Sequence, residues 1–564
     1  MNRGLATIIF ASVVAFFAFF FIYPVVMMIG GAFEGEDGAF TLVFFVELFK
    51  NPIYREGLMN AFGLGVASTF VSFLIAMPLA WITDRYRFPG KAWLSPLLLI
   101  PLVLPPFVGA VGVKKMLGAS GALNSFLIDL GIMSAEQPLD WLAEGRFWGV
   151  VLMNALHLYP VLYMNIAASL AQLDPTLEQA AENLGCPPWR RFTQITLPLI
   201  MPGVFAGGAI VFIWSFTELG VPLVFDYNRV TPVQIFDGLK DLEGNPMPFV
   251  MVVILLVVSA LIFTLSKWLF GSQRQGATAR PKSKSSERSV RPIYAGICTA
   301  FTALLIIGAS LPHIGVVLLS VSGDWYQSVL PDPLTLSHYD EALGHSLVVP
   351  SIQNSLTYAS LSTLVDIILG LAIAWVVVRS KLPGRQFLDS LVMLPLAVPG
   401  LILAFGYFAL SQKGGEFHFL VGETGDPTLL LILAYAVRRL PYVVRSAVAG
   451  LQQSNPALEE AARSLGANLM TTLRRVSLPL IGANLLAGGL LAFAFAMLEV
   501  SDSLILAQQA EHFPITKAIY TLLSTLGNGL ELAASLGVWA MVFLSVAIIG
   551  AVLLAGKKGG LFKF

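Results

Sequence analysis

Long apolar runs separated by polar stretches recur twelve times along the chain. In the first half they lie near 6–31, 60–82, 92–115, 147–170, 203–225 and 248–270. In the second half they lie near 293–321, 354–378, 387–410, 428–450, 483–506 and 532–555. A helix needs about 20 apolar residues to cross the hydrocarbon core. The pattern therefore predicts an all-α integral membrane protein with about twelve transmembrane helices. The first run follows "MNRG" and is too long for a signal peptide. No convincing small-residue cleavage site precedes the acidic "EGEDG", so it is expected to stay as a span.

The polar stretches set an orientation, because Lys and Arg collect in cytoplasmic loops. "DRYRFPGK" (84–91), "RSKLPGR" (379–385) and "GSQRQGATARPKSKSSERSVRP" (271–292) are basic. Loops at 32–59, 116–146, 227–247, 323–353, 412–427 and 507–531 are acidic or mixed. Alternation puts every basic loop on one side with both termini, which predicts cytoplasmic ends. The segment 271–292 has no apolar period and reads as a flexible linker.

Composition agrees with a membrane solvent. The 564 residues are 56% hydrophobic and 12% charged, with a mean hydropathy of +0.77; soluble domains carry about a quarter charged residues. The formal net charge is zero, so nothing draws the chain toward nucleic acid. Two distant cysteines, Cys186 and Cys298, suggest no disulfide framework. The six histidines show no metal-ligand spacing, so no metal is assigned.

The two halves repeat. "NAFGLGVASTFVSFLIAMPLAWITDRYRFPG" begins at 60 and "NSLTYASLSTLVDIILGLAIAWVVVRSKLPG" at 354, an offset of 294. "TLEQAAENLGC" (176–186) and "ALEEAARSLGA" (457–467) match at an offset of 281. The first half thus has 13 extra residues, placed in the loop 116–146. Six spans per half means that both halves enter the membrane the same way, a parallel repeat about an axis along the membrane normal. The halves are read as 1–270 and 293–564, joined by 271–292.

Each copy of the charged segment, within 173–198 and 454–479, reads as a helix–turn–helix knob on the cytoplasmic face. Asp174-Pro175 and Asn455-Pro456 are helix-start signals, and Gly185 and Gly466 suit a left-handed stop. Ala180/Ala181 and Ala461/Ala462 allow close approach. Trp189 and Phe192, matched by Met470 and Leu473, offer a greasy tip. Two such knobs imply two equivalent partners or one symmetric dimer.

Here the sequence resembles the permeases of binding-protein-dependent ABC importers of the type I class, with both halves fused. "EEAARSLGANLMTTLRRVSLP" is similar to that family's "EAA…G…I-LP" loop. Glu460, Ala461, Ala462, Gly466, Val476, Leu478 and Pro479 match in the second copy. Ala180, Ala181, Gly185, Ile195, Leu197 and Pro198 match in the first, where Gln179 stands in the acidic place. The resemblance implies the type I permease fold, coupling helices that dock on an ATP-binding subunit, two copies of that subunit, and a periplasmic solute-binding protein. It also places the chain in a bacterial inner membrane. No G-x-x-x-x-G-K-[ST] occurs, so ATP is expected on the partner, with no cofactor on this chain.

Ionisable groups inside spans are costly and default to functional candidates. Glu218 in the fifth span and Glu499 in the eleventh are symmetry mates. Asp502 lies three residues after Glu499, on one helix face, where the first half has Val221. In the tenth span Arg438 and Arg445 share a face, and Arg438 matches Glu499 in depth within about 5 Å. This leaves two readings, a structural Glu–Arg fastening or a substrate gate. The fourth span adds His157 and Tyr163, with Asn154, Tyr159 and Asn165, around Pro160, which mirrors Pro441. This stripe lines the path or satisfies a proline kink.

"LPPFVGAVG", "ENLGCPPWRRFTQITLPLIMPG" and "FIWSFTELGVPLVF" are most similar to iron(III) members of the iron(III)/thiamine group. That implies uptake of ferric iron, for which carboxylate oxygens are suitable hard ligands. The arginines would repel a bare trivalent cation and would suit an anion-complexed metal, or an anionic substrate such as a phosphonate (2-aminoethylphosphonate, for example), equally well. The same machinery serving thiamine or a polyamine also stays open. A rival class is a secondary transporter with Glu218, Glu499 and Asp366 as relay carboxylates; it gives the two knobs no purpose. No nucleophile–base constellation suggests an enzyme.

Overall fold

The computed structural model describes residues 3–35, 38–102, 104–142, 146–241, 245–270, 288–412, 415, 417–418 and 425–556. The expected linker 271–292 lies outside them except for 288–292, where Arg288–Ser289 pairs in parallel with Tyr86–Arg87.

All twelve expected runs fall on helices. Among the described residues, nine are helical stretches long and apolar enough to cross a membrane: Gly4–Gly31, Pro52–Arg85, Arg146–Gln172, Pro188–Val224 (interrupted after Phe216), Met247–Leu269, Pro292–Ser320, Val348–Arg379, Leu469–Met497 and Gly529–Gly550. They are spans 1, 2, 4, 5, 6, 7, 8, 11 and 12. Span 10 is the helix Thr428–Gln453, whose three arginines (Arg438, Arg439 and Arg445) lower its hydropathy.

Spans 3 and 9, expected to be continuous, are broken. Lys91–Leu102 meets Pro106–Asp129 at 95°, and Arg385–Leu396 meets Gly400–Leu410 at 92°. The breaks fall at "IPLVLPP" and "LPLAVPG". Proline lacks the N–H and clashes with the preceding turn, so clustered prolines end a helix. Spans 5 and 11 also end sooner than expected, at Phe216 and Met497. Short helices follow at Gly220–Val224 and Ser501–Leu506.

Two compact units divide the chain. One comprises 1–46, 238–253 and 336–564; the other comprises 47–237 and 254–335. The compact bodies therefore differ from the sequence repeats. Span 1 belongs to the unit built mainly from the second repeat, and span 7 to the unit built from the first. The packing explains the exchange. A Cβ on Gly406 in span 9 would sit 3.0 Å from the Pro24 carbonyl oxygen of span 1. A Cβ on the equivalent Gly112 in span 3 would sit 2.6 Å from Val316 N of span 7. Membrane helices associate where small residues let backbones meet, and each repeat offers that glycine to an opening span of the other.

Candidate functional site: two anchored knobs and a buried charge cluster

Each knob is built as its sequence dictates. The Asp174 carboxylate accepts from Thr176 N and the Asn455 amide oxygen from Ala457 N, capping helices Pro175–Asn183 and Pro456–Ser464. Both helices end on left-handed glycines, Gly185 at φ 78° and Gly466 at φ 87°. The reversal is closed by Cys186 N donating to Ala181 O and Ala467 N to Ala462 O. A one-turn helix follows, then a π-helical turn at Phe192–Thr196 or Leu473–Ser477, and then the span.

The exposed tips are apolar. Trp189 is 72% and Met470 68% exposed, as expected, and Leu184 and Leu465 exceed both at 87% and 89%. The two leucines escaped notice because they sit directly before the stop glycines, where a helical period no longer predicts direction. Phe192 and Leu473 turn partly inward instead; Phe192 packs edge-on against Trp81. Of the paired alanines, Ala180 and Ala461 face out, while Ala181 is buried and Ala462 half-buried.

The acid that matters structurally is one residue before the family's glutamate position. Gln179 and Glu460 are exposed, whereas Glu178 and Glu459 are buried. Glu178 is gripped by both terminal nitrogens of Arg85 at the end of span 2 and accepts from Thr196 Oγ1 at 2.5 Å. Glu459 pairs with Arg379 Nε at the end of span 8, at 3.2 Å, and accepts from Ser477 Oγ at 3.1 Å. Arg379 also reaches Ser454 Oγ at 2.7 Å. All three positions repeat at the offsets of 281 and 294, so the same lock is built twice. It ties the knob helix, the π-turn and span 2 or 8 together. The repeat itself carried the signal: position 178/459 is acidic in both copies and 179/460 is not.

The second constellation lies in the second-repeat unit. Arg438 Nη1 pairs with Glu499 Oε1 at 2.6 Å and Asp502 Oδ2 at 3.0 Å. Arg439, which the sequence reading did not select, pairs with the other Glu499 oxygen and donates to Phe495 O at 3.2 Å. Glu499 is 5% exposed and Asp502 fully buried. The two acids do not share one helix face: Glu499 lies in the break after Met497, and Asp502 opens the next short helix. The break lets both converge on Arg438. Tyr435 OH and Ser503 Oγ lie 2.7 Å apart beside them. Arg445 is not part of the cluster; half-exposed, it pairs with Asp389 at 3.3 Å. Pro441 lies between Arg438 and Arg445 in the helix, so their seven-residue spacing does not bring both to one partner.

The first-repeat unit uses the equivalent positions differently. Glu218 lies beyond the helix of span 5, in the break, and its Oε1 accepts from Gly220 N at 3.0 Å and Val221 N at 3.2 Å. His157 stands at the position of Arg438, and its Nδ1 lies 2.7 Å from Pro101 O. Pro101 belongs to the broken turn of span 3, as Gly400 does in span 9, where a Cβ would fall 2.2 Å from Arg438 Nη1. One polar side chain from span 4 or 10 thus fills the break of span 3 or 9 in each unit. Broken backbone at membrane depth needs such cover. Tyr163 is buried and hydrogen-bonded to Thr83 at 3.1 Å, a partner within the packing of spans 2 and 4. No group of three or more His, Cys, Asp or Glu side chains among the described residues is arranged to hold a metal.

Two fused six-span repeats, each with an anchored knob ahead of its fifth span, define a transport permease. Residues 60–274 and 366–555 match the family described as "Binding-protein-dependent transport system inner membrane component", and the chain belongs to that family. It is a multi-pass membrane permease subunit of an importer that works with ATP-binding and solute-binding partners. It is 27% identical to the ferric transport system permease protein FbpB of Actinobacillus pleuropneumoniae, over 87% of this chain and 70% of that protein. It is also 27% identical to a putative ferric transport system permease protein, FbpB 1, of Haemophilus influenzae, over 86% of this chain and 75% of that protein. One repeat's length, 41% of the chain, is 32% identical to the molybdenum transport system permease protein ModB of Escherichia coli K12, covering 99% of it. A crystal structure of a bacterial ABC transporter that imports alginate matches 50% of this chain at 16% identity and a TM-score of 0.34, a likeness that adds nothing to the family match.

Proposed function

We propose that this permease carries ferric iron. The observation that supports it is similarity to two ferric permeases along nearly the whole chain, both repeats included. In this reading two copies of the ATP-binding subunit dock on the two knobs, and ATP is hydrolysed there rather than on this chain. The knobs and both termini face the cytoplasm, and a periplasmic binding protein delivers the ion to the opposite face. ATP-driven closure of the partner dimer draws on the knobs, and the Glu178–Arg85 and Glu459–Arg379 locks pass that displacement into spans 2 and 8.

The arginines do not oppose this substrate. Arg438 and Arg439 are matched by Glu499 and Asp502, so the cluster presents no net positive charge to a cation. It acts first as a fastening between span 10 and the broken end of span 11, since buried charges persist when paired. The experiment is uptake of radioactive ferric iron by cells lacking their own ferric importers, with this chain and its partner subunits supplied. ATP-dependent iron uptake that molybdate and spermidine leave unaffected is expected. Uptake of molybdate in place of iron would overturn the reading.

A further inference from the structure

Asp366 in span 8 has no exposed surface. Neither of its carboxyl oxygens has a hydrogen-bond partner among the described residues. Burying such a group without a partner is costly, and nothing in the Glu–Arg fastening accounts for it.

Its position names the partner. Four residues further along span 8, a Cβ on Gly370 would lie 2.8 Å from Val443 Cγ1 of span 10. Residues four apart share a helix face, and Arg439 lies four residues before Val443. Spans 8 and 10 run in the same direction, with Arg379 at the end of one bonded to Ser454 at the end of the other. Counted back from those ends, Asp366 and Arg439 both lie at a depth of about 20 Å. Arg439 is the cation whose field reaches Asp366. Arg439 Nε is itself buried without a hydrogen-bond partner among the described residues, although its terminal nitrogen holds Glu499. The first repeat lacks both members together, with Ser72 and Leu158 at the equivalent positions.

We propose that Asp366 is a second seat for Arg439 in the transport cycle. In the state seen here Arg439 is held by Glu499. Span 8 also carries Arg379, the residue locked to the knob through Glu459. A knob displacement that releases Arg379 from Ser454 frees span 8 to move against span 10 and brings Asp366 onto Arg439, while Glu499 keeps Arg438. Asp366 is thus a positioning residue that gives the second repeat two defined arrangements. The proposal rests on the importer class and not on the identity of the ion.

The test is a double-mutant cycle on the transporter assembled with its ATP-binding subunits in lipid nanodiscs, reading ATP hydrolysis and the melting temperature. Asp366→Asn and Arg439→Gln are each expected to cut hydrolysis about tenfold, and the double variant to lose no more than the worse single. The melting temperature of Asp366→Asn should match that of the wild type. Hydrolysis within twofold of wild type in Asp366→Asn, or losses that multiply in the double variant, would overturn the proposal. If Asp366→Asn does not assemble, Asp366→Ser, which installs the residue type found at Ser72, takes its place. Failure of both to assemble while Arg439→Gln assembles would make Asp366 a purely structural residue and would also overturn it.

Discussion

Glu178 and Glu459 differ from their neighbours Gln179 and Glu460 in the water they have lost. Each is buried on an arginine and a hydroxyl. Removing one member of such a pair strands the other and costs about 3–5 kcal/mol, whereas a change at an exposed site stays within about 0.5 kcal/mol. Glu459→Gln and Glu178→Gln are therefore expected to lower the thermal midpoint of the detergent-solubilised chain by several degrees, and Glu460→Gln to leave it unmoved. A second residue sets a pH response. Lys517, in the helix Ile515–Leu523 between spans 11 and 12, donates to Leu504 O at 2.9 Å. Burial pushes its ammonium group down from 10.5 to about 8. Between those values the unfolded chain binds the extra proton, so stability rises with pH there and the penalty is fully present below about pH 8. Melting measured from pH 7 to pH 10 should show that rise in the wild type, and Lys517→Met should flatten it.

At the scale of elements, the knobs follow from local rules, while the broken spans need both their clustered prolines and the side chains, His157 and Arg438, that cover the breaks. Gly185 and Gly466 have open space where a Cβ would go, so replacement by alanine meets only the left-handed backbone penalty, about 1–2 kcal/mol. Gly466→Ala should loosen the second knob while leaving the spans intact, which limited proteolysis of the 454–479 loop would report. Gly400 is a different case, because its missing Cβ makes room for the Arg438 guanidinium. Gly400→Ala should destabilise the wild type, and should do so less in an Arg438→Gln background; equal losses in both, read by thermal melting, would show that the contact is not the cause. The knob helices, their caps and stops, and the twelve runs were legible because short-range chemistry fixes them: Asx-Pro starts, glycine stops and apolar length. The Glu499–Arg438 pair was legible from depth along two helices. The 90° breaks were not, although Pro101, Pro105 and Pro399 stood in the sequence, because a proline inside a span is also compatible with a kink, as at Pro160 and Pro441. Once those breaks exist, Arg439 joins the cluster and Arg445 leaves it, which a continuous-helix picture cannot supply.

At the scale of the whole molecule, the repeat in sequence and the division in space are not the same partition. Spans 1 and 7 each belong to the unit built mainly from the other repeat, with Gly406 and Gly112 receiving them. The exchange is invisible to hydropathy because an apolar run records that it crosses the membrane and not what it packs against. Within this plan the two knobs are locked alike, while only the second repeat carries the Arg438–Arg439–Glu499–Asp502 cluster. The central claim is that these knobs transmit a partner's ATP-driven motion to the spans. Its most direct measurement is ATP-driven uptake of radioactive ferric iron into proteoliposomes holding the assembled transporter, comparing wild type with a chain carrying Leu184→Asp, Trp189→Asp, Leu465→Asp and Met470→Asp. All four side chains are exposed, so the variant is predicted to insert and melt as the wild type does, to release the ATP-binding subunits, and to fall to background uptake. Undiminished, ATP-dependent uptake by that variant would contradict the account.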